Sequence, residues 1–156
     1  MKKIIFIVTL AIVALSGCYK EDNENVINGT AMLTGANSVP ATSSAATAKI
    51  TYAYNANLRT FTYQIDYANL SDSCTLMGIA KAQPGQVLPT ATFQQFTYGN
   101  ALSLQRRTTG TITGSFIVEG QQMILSELRG GLYSVFLRSK AFPTAPGSEV
   151  RANITF

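Results

Sequence analysis

Phe61-Thr62-Tyr63-Gln64-Ile65-Asp66-Tyr67 alternates from end to end: every odd position is large and apolar, every even position polar. Successive side chains of an extended strand leave opposite faces, so this run buries one face and wets the other. Wound as a helix, the same residues would scatter their aromatic rings around the circumference and leave several in water. The stretch before it sets Ile50, Tyr52 and Tyr54 against Lys49, Thr51 and Ala53 with the same period. Asn55-Ala56-Asn57 lies between the two runs and has turn chemistry, because asparagine tolerates positive φ. The pair of runs predicts a hairpin.

Working outward, the pattern predicts further strands at Thr30 to Leu33, Thr75 to Lys81, Thr90 to Phe96, Thr111 to Val118, Tyr133 to Ser139 and Val150 to Phe156. Asn69 to Ser73, Gln83 to Gln86, Tyr98-Gly99-Asn100 and Pro143 to Gly147 supply the Gly, Pro, Asn and Ser that end pairing. Gln121 to Arg129 breaks the pattern. Its Met123, Ile124, Leu125 and Leu128, followed by Gly130-Gly131, predict a short helix closed by a glycine in the left-handed conformation. Many short strands with one brief helix imply an all-β chain, an antiparallel Greek-key β-sandwich.

The N-terminus carries a different message. Lys2 and Lys3 precede an apolar run from Ile4 to Leu15, twelve residues where a bilayer-spanning helix needs about 20. That length fits a cleaved signal core. Leu15-Ser16-Gly17-Cys18 resembles the bacterial lipobox, in which the cysteine sulfur takes a diacylglyceryl group and the leader is cut just before it. The resemblance implies a signal peptide over 1–17, lipid on Cys18, and a membrane partner reached through acyl chains at about 0.8 kcal/mol per buried CH₂. Lys20-Glu21-Asp22 resembles the short Lys-plus-acidic export signal of surface lipoproteins of the Bacteroidetes. Together they imply an outer-membrane, lipid-anchored, outward-facing protein. Residues 18–28 are polar and aperiodic and read as a flexible tether, leaving 29–156 as one domain.

Removing 1–17 leaves 139 residues and takes Lys2 and Lys3 with it, so the charge falls from +4 (twelve basic, eight acidic) to +2 (ten basic, eight acidic). Arg106-Arg107 is the only adjacent pair of arginines, and no basic run approaches a nucleic-acid footprint. Nucleic acid is excluded as a partner. With Cys18 lipidated, Cys74 has no partner in the chain, and Cys74-Thr75-Leu76-Met77 reads as an interior strand that buries a free thiol.

From Gly29 onward the order of features resembles the CHRD domain, the chordin-type module of secreted and surface proteins. Ala31-Met32-Leu33-Thr34-Gly35-Ala36-Asn37-Ser38-Val39-Pro40 is similar to the family's opening strand, with Ser38 where Glu is usual. Leu58 to Tyr67 matches its long alternating strand, Ile124 to Tyr133 its helix-Gly-Tyr passage, and Phe142-Pro143 to Ile154, with Gly147-Ser148-Glu149-Val150-Arg151, its closing strand. The resemblance implies an immunoglobulin-like or superoxide-dismutase-like sandwich. Family members carry a His-Ile-His stretch and a further His; here Gly78-Ile79-Ala80 and Leu137 stand at or near those places, and the chain has no histidine. Without imidazole, the usual neutral ligand for zinc or copper, neither metal, redox chemistry nor any other cofactor is expected.

The same absence removes the commonest general base near neutral pH and every Ser-His or Cys-His pair. Glu149 and Arg151, two apart on the last predicted strand, share a face and read as a surface or edge ion pair; Asp66 and Asp72 read as an exposed strand position and a turn. No catalytic residue is assigned. The longest loop-like stretches, Ala82 to Pro89, Phe96 to Thr109 and Phe142 to Ser148, have Tyr98, Arg106, Arg107, Arg138 and Lys140 in or near them. Rings flanked by cations can stack on sugars or grip acidic groups. The expectation is a non-catalytic module that binds an envelope protein or glycan. A structural accessory of an envelope assembly and a degenerate enzyme are the alternatives.

Overall fold

A computed structural model describes residues 25–89, 93–95, 107–118, 123–143 and 147–156. In chain order the elements are β1 (Val26–Thr34), a 3-10 turn (Gly35–Asn37), β2 (Thr47–Asn55), β3 (Thr60–Ala68), β4 (Cys74–Lys81), β5 (Phe93–Gln95), β6 (Gly110–Ile117), α1 (Leu125–Arg129), β7 (Tyr133–Ser139) and β8 (Val150–Asn153). The chain is all-β and antiparallel apart from these short helical turns, as its alternation predicts.

The predicted hairpin is β2 with β3, in unbroken register from Thr47 opposite Ala68 to Asn55 opposite Thr60. Phe61, Tyr63, Ile65 and Tyr67 are buried, while Thr62 and Gln64 are exposed and Asp66 half-buried. The turn works differently from the expectation. Asn55 stays in the strand and uses its side chain, Oδ1 accepting from the backbone N–H groups of Asn57 and Leu58 at 3.0 Å each, and the positive φ (51°) falls on Arg59, where the chain re-enters β3. β1 begins at Val26, inside the stretch read as tether: Val26, Ile27 and Asn28 pair with Asn55, Tyr54 and Ala53.

Eight strands form one sheet in the order β5-β4-β7-β8-β1-β2-β3-β6. Where the sequence suggests two separate sheets, the two wings here, β5-β4-β7-β8 and β1-β2-β3-β6, are joined in the strand ladder, among the described residues, by a single residue pair, Thr34 with Arg151. Both wings nevertheless line one core: Ile50, Tyr52, Phe61 and Ile65 belong to the same buried cluster as Met77, Ile79, Val135, Leu137 and Val150, with Met123 and Leu128 added from the region of α1. At one end the sheet curls until the chain ahead of β6 reaches β4. Leu70 N–H donates to Thr108 O at 3.0 Å and Cys74 N–H to Arg107 O at 3.2 Å. Of the two glycines offered as the helix stop, Gly131 takes the left-handed conformation (φ 69°).

The inward rows of the β1-β2-β3-β6 wing explain its glycines. Ile27-Tyr54-Phe61-Phe116 and Ala31-Ile50-Ile65-Ile112 are apolar throughout, whereas the row between them reads Gly29-Tyr52-Tyr63-Gly114. A Cβ on Gly29 would overlap the Tyr52 ring, and one on Gly114 the Tyr63 ring. The two phenols occupy the space that the flanking glycines leave, a cross-strand packing that rescues glycine in a strand. Tyr52 also holds the C-terminal segment, its hydroxyl donating to Thr155 O and accepting from Thr155 N–H. Gly114→Ala is therefore expected to cost about 1–3 kcal/mol by overpacking. The same change on a Tyr63→Leu background should cost much less, so urea titration of the four-member cycle should be non-additive. Strict additivity would mean that the tyrosine does not claim that space.

Candidate functional site

β7 is buried at all seven positions, which an ordinary surface strand is not. Val135 and Leu137 face the shared core, while Phe136 packs on the other side with Ala80, Ala82, Leu88 and the half-buried Leu76. That second layer comes from the chain leaving β4, which folds back across β4, β7 and β8. Arg151, opposite Phe136 in the ladder, ties it down.

Arg151 is 1% exposed. Its Nε donates to Ser134 Oγ at 2.9 Å, its Nη2 to Ser134 Oγ, Ala82 O and Gln83 O at 2.7, 3.0 and 2.7 Å, and its Nη1 to Gln86 O. Ser134 Oγ in turn donates to Ala82 O at 2.7 Å, and Asn153 Nδ2 donates to the same carbonyl at 3.2 Å. Every partner is an uncharged oxygen, and burial holds the guanidinium below the ordinary arginine pKa. A planar five-donor fork suits this task, since it can gather several carbonyls of one loop at once.

Above this clamp Gln83, Pro84, Gly85, Gln86 and Val87 are all exposed, Val87 at 57%. The loop closes on itself: Gln86 N–H donates to Gln83 O, and Gln83 N–H to Gln86 Oε1, each at 3.1 Å. Gly85 supplies the positive φ (77°) that the reversal requires. An exposed five-residue loop thus rests on a buried, hydrogen-bonded base.

Arg138 lies on the same side of β7 as Phe136 and is 6% exposed. Nε donates to Gly147 O at 2.9 Å, and the guanidinium carbon sits 5.1 Å from the Phe136 ring centroid. Nη2 is buried without a partner, and burial lowers the pKa of this group too.

Glu149 precedes β8 and is fully buried, so the expected surface ion pair with Arg151 does not exist. Instead Oε1 accepts from Ser44 Oγ and from Ser71 N–H, both at 2.6 Å, while the Glu149 carbonyl accepts from Thr42 Oγ1 at 2.9 Å. Burial pushes the carboxyl pKa up, but the hydroxyls of Ser139 and Ser44 and the Ser71 N–H outweigh it and hold the group below the ordinary glutamate range. Ser139 Oγ and Glu149 Oε2 are both buried without a partner in hydrogen-bonding geometry. Glu149 is a knot that gathers the loops before β2 and after β3. Cys74 is a buried free thiol as expected, and burial pushes it up to about 11, so it stays protonated near neutral pH. The thiolate is the nucleophile, and Cys74 is a poor one.

The remaining sequence expectations fall as follows. Cys18, Lys20, Glu21 and Asp22 lie outside the described residues, as do Tyr98 and Arg106. Arg107 and Lys140 are exposed. Asp66 is held by Thr111 Oγ1 at 2.6 Å and by Gln64, and Asp72 by the N–H and hydroxyl of Ser73, the surface and turn roles read from the sequence. Ser38 is buried against Ser148, Oγ to Oγ at 3.0 Å. Ala80 packs in the outer layer and Leu137 in the shared core, so side chains at those two positions do not converge. Sequence reasoning missed Ser44, Ser71 and Ser134, whose roles depend on contacts with residues far along the chain. The chain matches no family model, no curated protein and no solved structure.

Proposed function

We propose that this chain is a lipid-anchored envelope protein whose β body is a non-catalytic binding module, with the loop at residues 83–87 as part of the surface that meets a protein or glycan. The arginine-clamped loop carries this reading. Ordering a loop before contact removes an entropic cost of binding, and a buried guanidinium is an expensive way to hold a loop that has no other task. The lipobox-like Leu15-Ser16-Gly17-Cys18 and the CHRD-like order of strands support the surface setting. Protonated Cys74 is not in its nucleophilic form near neutral pH, and the hydrogen bonds that lower the Glu149 pKa make its carboxylate a weak proton acceptor.

Two measurements test it. Labelled palmitate should enter the wild-type protein and not Cys18→Ala. Solubilised protein should capture an envelope component, or bind members of a glycan array, and Val87→Asp should weaken that about tenfold or more with unchanged thermal stability, as burying an unpaired charge at a contact implies. Label in both proteins would remove the anchor, and equal capture by Val87→Asp would remove the loop from the interface.

A further inference from the structure

The two ends of the β body differ in what they expose. Strand direction defines the first: β1 starts there, the β2-β3 hairpin turns there and β6 finishes there. Because β8 runs antiparallel to β1 and β7 to β8, α1 and the start of β7 lie at that end too. Among the described residues five large apolar side chains are exposed, and three belong to this end: Leu58 at the hairpin tip (68%), Ile117 at the last position of β6 (59%) and Ile124 just before α1 (42%). Arg59 and Arg129, on the hairpin and on α1, are exposed with them, while Glu127 of α1 is already held by Lys81 and the Tyr133 hydroxyl. The turns of the opposite end, where Asp72 and Lys140 lie, contribute none of the five. Chain length decides which end a lipid on Cys18 would hold. Asn25, the first described residue, comes seven residues after Cys18, and seven residues span at most about 25 Å. The nine residues of β1 alone are about 30 Å long, so that segment is too short to run back along the body and bring the opposite end to the membrane.

We infer that the end carrying Leu58, Ile117 and Ile124 docks on the phospholipid bilayer that holds Cys18. This rests on the lipid anchor proposed above and names the surface on which the β body stands. The apolar side chains enter the headgroup boundary, where a protein gains by burying apolar area, and the guanidinium groups of Arg59 and Arg129 stay at the level of the lipid phosphates, which they bind.

The chain has no tryptophan, so an introduced one reports a single site. Lipidated protein carrying Leu58→Trp, Met32→Trp or Lys140→Trp is reconstituted in vesicles of phosphatidylethanolamine and phosphatidylglycerol with brominated acyl chains, which quench on contact. Emission from Leu58→Trp should fall by about half relative to unbrominated vesicles and shift to the blue, since a docked apolar group sits about 5–10 Å into the interface. Met32→Trp, on the outer face of β1, and Lys140→Trp, at the opposite end, carry the same ring on the same anchor and should lose no more than about a tenth of their emission, being held clear of the acyl region. Equal quenching at all three sites, or none at Leu58→Trp, overturns the inference. Labelled palmitate in the protein without quenching at Leu58→Trp would refute docking and leave the anchor standing. Should palmitate not enter, the anchor reading falls, and the Cys18 thiol is coupled instead to a maleimide phospholipid in the same vesicles, Cys74 being buried. Quenching confined to Leu58→Trp would then uphold the docking surface by itself, and its absence would remove that as well.

Discussion

Arg151→Met is expected to lower the free energy of unfolding by about 3–5 kcal/mol, the scale on which buried charged networks fail when one member is removed. Methionine fills much of the same volume, so packing against Phe136 is largely kept and the loss isolates the polar role. Three loop carbonyls, those of Ala82, Gln83 and Gln86, lose their charged donor, and Ser134 loses two bonds. A buried acceptor stripped of its partner costs about 1–3 kcal/mol unless it can reach water. Part of the loop can do so, which caps the total. Arg151→Lys should recover only a fraction, since an ammonium offers three donors on one atom and cannot span the carbonyls. Urea midpoints with an unchanged slope would report the global loss, and faster proteolysis confined to residues 83–87 the local one. A variant as stable and as protease-resistant as wild type would show that the loop holds itself.

Glu149→Gln should cost about 2 kcal/mol at neutral pH, because hydrogen bonds to a charged acceptor are worth about 1.5–3 kcal/mol each and an amide oxygen retains part of that. The pH dependence has a definite sign. The folded carboxyl lies below the ordinary glutamate range, so its stabilisation is complete above the unfolded value of about 4.3 and disappears as pH falls through the lower, folded value. The gap between wild type and Glu149→Gln should therefore stay constant from pH 7 to about 5 and close in more acidic solution. A gap that persists at low pH would trace the cost to packing rather than charge.

Much of the fold could be read from single residues. Phe61 to Tyr67 assigned β3, its faces and its partner, because a period of two is a local property that tertiary contacts rarely reverse. Cys74 as a buried thiol followed from its apolar neighbours. The charged residues of the last strand were misread for an equally physical reason. Spacing places Glu149 and Arg151 on a common face, but spacing does not tell whether another segment covers that face. The covering layer arrives from the chain after β4, some seventy residues earlier for Arg151 and Ala82, which differ in number by 69. A sign was nonetheless present. Val135-Phe136-Leu137 is apolar at consecutive positions, the mark of a strand covered on both sides, and whatever lies beside such a strand is covered with it. Serines 44, 71 and 134 carry no such mark, since hydroxyls suit loops and strand edges equally.

Among the described residues the meeting of Thr34 with Arg151 is the whole of the strand ladder between the wings, with one further backbone bond, Cys74 N–H to Arg107 O, at the other end. Ladder bonding consequently cannot be what makes the halves rise and fall together; that linkage is borne by the oily interior both share, with the Glu149 knot and the C-terminal segment under Tyr52 as latches. Loosening that interior would let the halves part like covers around a narrow spine, each with its strands still paired.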